Sequence, residues 1–207
     1  MKSRSFMTID KKYVEQIINV TSKAAIASSH LVGKKDKIKA DQAAVDAMRT
    51  ELNKIDMTGE IVIGEGSLDN APMLYTGEIL GKKTGPNFDI AVDPLEGTNF
   101  AANNLPGALS VIAVAEKGNL FKAPETYMHK IATANVEKGL IDLEYSIKKN
   151  IENLAEYKNT LPSNLTACLL DRPRHKKIIE ELTALKVKIK LISDGDVAGA
   201  LLVTKAK

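Results

Sequence analysis

The chain has 207 residues, of which 44% are hydrophobic, a length that suits one domain or two small ones with a proper core. Its 29 basic and 26 acidic residues are well mixed, and no basic run is interleaved with aromatics, so no nucleic-acid partner is expected. No segment resembles a signal peptide or approaches the length of a membrane span, and the single Cys168 excludes an internal disulfide. We therefore expect a cytoplasmic protein without a membrane partner.

The amino-terminal part of the chain predicts two amphipathic helices. Apolar residues recur at near-helical spacing over residues 10–31, and a polar loop follows over residues 33–40. Asp41 then precedes the second amphipathic segment and stands where a helix N-cap belongs.

Short apolar runs predict strands in the next part of the chain. These runs are EIVIGEG (60–66), FDIAV (88–92) and GALSVIAVAEKG (107–118). Pro94 follows FDIAV directly and lacks the amide proton that a ladder requires, so it is expected to end that strand.

The carboxyl-terminal part predicts a strand-helix-strand unit. Residues 134–160 are rich in lysine and glutamate and read as helical from about Leu143. The unit itself consists of a strand (166–171), a helix (174–185) and a strand (186–192) that leads into SDGDVAGALLV. This order favours an α/β fold, with an N-terminal α/β region over residues 1–160 and a second α/β region over residues 161–207.

Acidic residues recur where the predicted strands or helices begin or end. They are Asp41, Glu65, Asp69, Asp93, Glu96, Asp194 and Asp196. If these loops converge, the carboxylates repel one another unless a cation lies among them, and ligands that offer only oxygen favour Mg²⁺ or Mn²⁺. The alternative for DPLEGTNF (93–100) is an ordinary acidic turn in which Asp93 caps a helix.

Anion-binding groups also stand at turns. Arg172 and Arg174 flank Pro173 at a strand-to-helix turn, where guanidinium groups and free helix amides suit a phosphate. Gly97 and Thr98 could open a helix in the same way. The alternative is that both arginines are ordinary surface residues. Neither nucleotide fingerprint, GxGxxG or GxxxxGK[ST], occurs in the sequence.

Six motifs in order resemble one family. DPLEGTN resembles the metal-binding signature of the lithium-sensitive sugar and inositol phosphatases. Together with KADQAAVDAMR, GEGSLDNAPMLYTGE, ETYMHKIA, RPRH and ISDGDVAGA it resembles class II fructose-1,6-bisphosphatase from about residue 10 to the end. The resemblance implies a layered α/β/α/β/α sandwich and a divalent-metal-dependent phosphatase that hydrolyses fructose 1,6-bisphosphate to fructose 6-phosphate in gluconeogenesis.

The resemblance also implies roles for individual residues. The metal ligands, for Mn²⁺ or Mg²⁺, would be Asp41, Glu65, Asp93 and Glu96. Thr98, with Glu65 and Asp69, would provide the catalytic groups that orient or deprotonate water. The residues implied to bind the sugar bisphosphate are Glu96, Gly97, Thr98, Tyr127, Arg172, Pro173, Arg174, Asp194, Gly195 and Asp196.

The sequence departs from the family pattern in places. Lys35 and Ile38 stand where the family tends to have glycine and a small polar residue, and Ser67 and Asn70 replace common acids. Family members continue well past the DGDVAGA helix, so the sandwich is expected to be incomplete at its C-terminal part. This leaves three alternatives open. The first is a phosphatase for sedoheptulose 1,7-bisphosphate or an inositol-type monophosphate. The second is a non-catalytic truncated remnant that binds metal or phosphate or associates with a full-length copy, and the third is a generic α/β binding module with an acidic rim. Homo-oligomerisation is also left open.

Overall fold

The computed structural model describes residues 9–66, 73–124, 126–134 and 136–204. The chain divides into two compact units between Thr126 and Tyr127. Each unit combines helices with a sheet, so the predicted α/β class is confirmed. None of the helices in the described ranges combines the length and the apolar character needed to cross a membrane.

The first unit consists of a helix pair packed on a mixed sheet. Its elements in chain order are α1 (Lys11–Ser29), α2 (Lys37–Leu52), β1 (Thr58–Ile63), β2 (Ile79–Leu80), β3 (Asn87–Glu96), α3 (Thr98–Ala102) and β4 (Leu109–Glu116). The strand order across the sheet is β2-β1-β3-β4; β1 and β3 are parallel, and the other two neighbouring pairs are antiparallel. Both α1 and α2 pack on this sheet, and aliphatic side chains such as Met48, Leu52, Ile61 and Ile90 fill the core between them. Aliphatic burial therefore holds this unit together without tryptophan.

The second helix begins earlier than the sequence predicts. Asp36 is the N-cap of α2, and its carboxylate accepts a hydrogen bond of 3.0 Å from the amide of Lys39. The expected N-cap at Asp41 is wrong, because nothing in Lys37–Ala40 prevents the helix from starting at the first available cap. Asp41 instead lies in the second turn of α2 and is half-buried.

The strand β3 does not end at Pro94. Asp93 lies opposite Val111 on β4 and Glu96 lies opposite Leu109, so two residues of β3, Pro94 and Leu95, face a single residue of β4. This is a β-bulge, one of the few places in a sheet that accept proline. The predicted strand end is therefore wrong, because the bulge absorbs the missing amide and pairing continues to Glu96.

The second unit is a smaller α/β arrangement. Its elements are α4 (Ile147–Tyr157), β5 (Thr166–Leu170), α5 (Lys176–Ala184), β6 (Lys188–Ile192) and α6 (Asp196–Leu201), with short 3₁₀ turns at Pro162–Asn164, Pro173–His175 and Leu202–Thr204. The strands β5 and β6 are parallel, which confirms the predicted strand-helix-strand unit. α4 contacts α5 and belongs to the second unit, which begins at Tyr127. The boundary suggested by the sequence, near residue 160, would place α4 in the first region.

The helices of the second unit pack on two faces of the β5-β6 pair. Ala167 and Leu169 of β5 pack with the core that α4 and α5 cover. Gly199 of α6 lies close to Cys168 and Ile192. Cys168 points to the side of the sheet opposite to Ala167 and Leu169, because successive residues of a strand alternate in direction. α6 therefore covers the face that α4 and α5 do not. The predicted helix start near Leu143 is wrong by one turn: Ser146 caps α4 by accepting from the amide of Lys149.

Candidate functional site

Three of the predicted metal ligands gather at one edge of the first sheet. The strands β1 and β3 are parallel, so their carboxyl ends meet at the same edge. Glu65 is the second residue after β1, and Asp93 and Glu96 are in the last four residues of β3. Asp41 comes from α2, which packs against β3.

The bulge at Pro94 and Leu95 brings Asp93 and Glu96 together. Residues three apart in a regular strand point to opposite faces. The extra residue of the bulge reverses this alternation, and the two carboxyl groups form a hydrogen bond.

The pKa values of these carboxyl groups are raised. Burial, followed by the negative charge of Asp41, raises the pKa of Glu65 to about 7. Burial is also the main cause that raises the pKa of Asp93, to which Glu65 and Asp41 contribute, while its hydrogen bond with Glu96 acts in the opposite direction. Burial raises the pKa of Asp41 as well. Burial and mutual repulsion therefore disfavour the ionised forms of these three carboxyl groups in the absence of a cation.

Gly97 shapes the backbone that follows these acids. Its φ of +81° is in the left-handed region, and a Cβ at this position would lie 3.0 Å from the Phe100 ring. Gly97 is the N-cap of α3, and its carbonyl accepts from the amides of Phe100 and Ala101 at 2.9 and 3.2 Å. Thr98 thus becomes the first residue of α3, two residues after Glu96. Asp93 does not cap this helix.

The donor set fits a hard divalent cation in its chemistry. It offers carboxylate oxygens, and a cation among them would relieve the repulsion and burial that raise the pKa values of Glu65 and Asp93. Within the described ranges, however, no three histidine, cysteine, aspartate or glutamate side chains are arranged to enclose an ion. Asp69, Ser67 and Asn70 lie outside the described residues.

The predicted sugar- and phosphate-binding residues beyond Thr98 are in the second unit. The guanidinium carbon of Arg174 lies 4.1 Å from the ring centroid of Tyr127, whose side chain is 81% exposed. Pro173 opens a 3₁₀ turn, and Arg172 Nη1 donates to the carbonyl of Asp171 at 2.9 Å. Arg174 and Tyr127 therefore form an exposed cation–π pair in this unit.

The ISDGDVAGA motif forms a turn into α6. Gly195, with φ +74°, is the N-cap of α6, and Asp196 is its first residue. Asp196 forms an ion pair with Lys130, and Asp194 is half-buried. These residues belong to the second unit, whereas the carboxylates of the proposed metal site belong to the first.

The pairing of Glu78 with Arg49 is visible only in the folded structure. They are 29 residues apart, and Arg49 Nε donates to Glu78 Oε1 at 2.7 Å in a pair whose carboxylate is buried. This contact depends on tertiary packing, because Arg49 is on α2 and Glu78 directly precedes β2. The only signal in the sequence is the acid at the end of GEGSLDNAPMLYTGE.

Comparison with known proteins assigns the family. The family described as "Bacterial fructose-1,6-bisphosphatase, glpX-encoded" matches residues 11–207. Proteins of Prochlorococcus marinus (strain MIT 9303) and Synechococcus sp. (strain CC9311), both named D-fructose 1,6-bisphosphatase class 2/sedoheptulose 1,7-bisphosphatase, are each 47% identical over 193 residues. These matches cover 93% of this chain and 58% of each relative, so the chain spans less than two thirds of their length. The family that the motifs predict is thereby confirmed: this chain belongs to the bacterial, glpX-encoded fructose-1,6-bisphosphatase family.

Proposed function

We propose that this chain is a divalent-metal-dependent phosphatase that hydrolyses the 1-phosphate of fructose 1,6-bisphosphate. The observation that carries the proposal is the electrostatic coupling of Asp41, Glu65 and Asp93 at the carboxyl edge of parallel strands. Acids that burial and mutual repulsion make hard to ionise need a cation to stay charged together. Family membership supports a sugar bisphosphate as the substrate class.

Asp41, Glu65, Asp93 and Glu96 would hold Mn²⁺ or Mg²⁺, with Asp69 close by. A bound divalent cation supplies two kinds of chemistry here: it lowers the pKa of water and neutralises charge on the transferring phosphoryl group. The donor set offers only oxygen, which both ions accept, so we propose either Mn²⁺ or Mg²⁺.

The residues after the bulge would handle the phosphate and the attacking water. Thr98 stands at the first position of α3, where its hydroxyl can hydrogen-bond a water and its amide has no partner within the helix. In the proposed reaction the water oxygen attacks phosphorus, and the bond between phosphorus and the sugar oxygen breaks. The sugar oxygen takes up a proton, giving fructose 6-phosphate and phosphate. Glu65 or Asp69 would help Thr98 to remove the proton from water.

In the second unit, we propose that Arg174 and Arg172 bind the phosphate that is not cleaved. A guanidinium group makes charge-assisted hydrogen bonds to phosphate oxygens, and the Tyr127 ring holds that of Arg174 in a defined orientation. Asp194 and Asp196 would contact sugar hydroxyl groups. A second anion site favours a bisphosphate over an inositol-type monophosphate.

Sedoheptulose 1,7-bisphosphate is the second candidate substrate, because the relatives carry both activities in their names. The experiment is phosphate release from each bisphosphate with Mn²⁺ or Mg²⁺, comparing the wild-type chain with Asp93→Asn. Metal-dependent release that Asp93→Asn abolishes would support the proposal, and the ratio of the two kcat/KM values would rank the sugars. A folded wild-type chain that binds Mn²⁺ but releases no phosphate would instead favour a non-catalytic remnant.

A further inference from the structure

Glu78 is a buried carboxylate that the proposed reaction does not use. Its side chain is 6% exposed, and its two oxygens have different partners. Arg49 Nε donates to Oε1 at 2.7 Å, and the backbone amide of Leu74 donates to Oε2. A buried carboxylate needs such partners to offset the loss of water. Arg49 is on α2, the helix that also carries Asp41, so Glu78 connects that helix to the segment around Leu74.

Leu74 has a backbone conformation that leucine rarely adopts. Its φ is +55°, in the left-handed region, and its side chain is fully buried. The amide of Leu74 donates to Glu78, and its carbonyl accepts from the amide of Glu65 at 3.0 Å. A strained backbone persists only where its surroundings determine it from several sides, and these two hydrogen bonds do so here.

The backbone on both sides of Glu65 depends on the same segment. A Cβ at Gly64 would lie 2.0 Å from the Leu74 carbonyl oxygen, so only glycine permits this approach. The carbonyl of Gly66 accepts from the amide of Thr76 at 3.0 Å. The position of residues 74–76 therefore determines the backbone position from which the Glu65 side chain extends.

From these contacts we propose that Glu78 is a positioning residue for Glu65, and that Arg49 holds Glu78 in place. Glu78 fixes the amide of Leu74, and the carbonyl of Leu74 fixes the amide of Glu65. The inference rests on the proposed function, because it takes Glu65 as a ligand of the cation. Outer partners that orient a ligand typically affect metal affinity or activity by about 10- to 100-fold.

The test combines three variants with two measurements. Glu78→Gln keeps the size of the side chain but presents an NH₂ group to one of the two donors, and Arg49→Met keeps a long stem without the guanidinium. Arg49→Lys keeps the charge and serves as the conservative rescue.

Mn²⁺ affinity is measured by calorimetry, and hydrogen exchange of the Leu74 and Glu65 amides is measured in the metal-free protein. We expect Glu78→Gln and Arg49→Met to bind Mn²⁺ about 10- to 100-fold more weakly, with faster exchange at both amides and smaller losses in Arg49→Lys.

Leu52→Ala is the matched control, because it removes a fully buried side chain from the same helix and leaves the Arg49–Glu78 pair intact. It should lower stability while the folded fraction keeps wild-type Mn²⁺ affinity and wild-type hydrogen exchange at the Leu74 amide.

Wild-type Mn²⁺ affinity in Glu78→Gln would overturn the inference. Equal losses of Mn²⁺ affinity in Leu52→Ala and Glu78→Gln, compared at the same folded fraction, would overturn it as well. If the wild-type chain binds no Mn²⁺, the proposed function fails. The exchange measurement, which needs no cation, then decides alone whether Glu78 holds the Glu65 backbone.

Discussion

The carboxyl groups of Asp93 and Glu96 form a hydrogen bond because a β-bulge adds one residue between them. Without the bulge, a separation of three residues would direct these side chains to opposite faces of the sheet. Pro94 occupies the bulge, where its missing amide costs no ladder hydrogen bond. One local irregularity thus brings the two carboxyl groups of this strand end into contact.

The first prediction concerns this pair. Asp93→Asn or Glu96→Gln should weaken Mn²⁺ binding by at least ~10-fold, because each change replaces a proposed ligand oxygen by an amide. Calorimetric titration of the folded variants measures the effect. Asp46→Asn, an exposed acid on α2, is the control and should bind like the wild type. Unchanged titrations in both site variants would remove Asp93 and Glu96 from the metal site.

The second prediction concerns the stability of the metal-free protein as a function of pH. Burial and the charge of Asp41 raise the pKa of Glu65 to about 7, above its usual value of 4.5. Between these two values the folded protein holds a proton that the unfolded chain has released, so stability should fall as the pH rises through this window. The raised pKa of Asp93 acts in the same direction.

Thermal melts of the metal-free protein between pH 4.5 and 8 test this sign. We expect Tm to decline by roughly a few degrees over the window, and Glu65→Gln to reduce the slope because glutamine does not titrate. Saturating Mn²⁺ should raise Tm most at the upper end of the range, where the carboxylates are ionised. A Tm that rises steadily from pH 5 to pH 7.5 without metal would contradict the prediction.

The third prediction concerns Lys35, in the loop between α1 and α2. Its φ is +62°, a conformation that costs a side chain bearing a Cβ about 1 kcal/mol or more, and its amide donates to the Ala102 carbonyl at 2.9 Å. Lys35→Gly keeps that hydrogen bond and removes the strain, although glycine adds entropy to the unfolded chain. The free energy of unfolding should rise by about 0.5–1 kcal/mol. Lys34→Gly, its neighbour, should instead lower it by a similar amount, and equal effects of the two changes would refute the argument.

The fourth prediction concerns Arg174. If it binds the uncleaved phosphate, Arg174→Ala should weaken the binding of fructose 1,6-bisphosphate by very roughly ten- to a hundredfold and leave Mn²⁺ affinity unchanged. Lys177→Ala, an exposed cation nearby on α5, is the matched control for a general loss of charge. Wild-type affinity for the bisphosphate in Arg174→Ala would return this arginine to the role of a surface residue.

Periodicity predicts the long elements of this fold well and the short ones poorly. FDIAV and the parallel strands β5 and β6 follow from apolar runs, because burial on a sheet face leaves that signature in the sequence. The strand β2 has only two residues, Ile79–Leu80, too few to form a pattern, and it is missed. The start of α2 is misplaced because both Asp36 and Asp41 are acceptable caps in the sequence, and only the folded structure selects between them.

The sequence proposes residues for the candidate site but does not give their geometry. Glu65, Asp93 and Glu96 stand out because acids follow strands, and the family motifs name them. The bulge at Pro94 is not predictable from β3 alone, because a bulge is defined by the register with β4. The contacts of Glu78 are not predictable from the sequence for the same reason, because Arg49 and Leu74 reach it only through tertiary packing.

We propose that Asp41, Glu65, Asp93 and Glu96 hold a divalent cation, and the raised pKa of Glu65 means that binding of this cation should release a proton. Calorimetric Mn²⁺ titrations at pH 6 and pH 8, each in two buffers of different ionisation enthalpy, measure affinity and proton release together. We expect tighter binding at pH 8 and more protons released at pH 6, because burial and the negative charge of Asp41 raise the pKa of Glu65 to about 7. Glu65→Gln should both weaken binding and reduce the number of protons released at pH 6. Absence of Mn²⁺ binding by the folded chain, or binding with no proton release at either pH, would rule out a cation site built on these carboxyl groups.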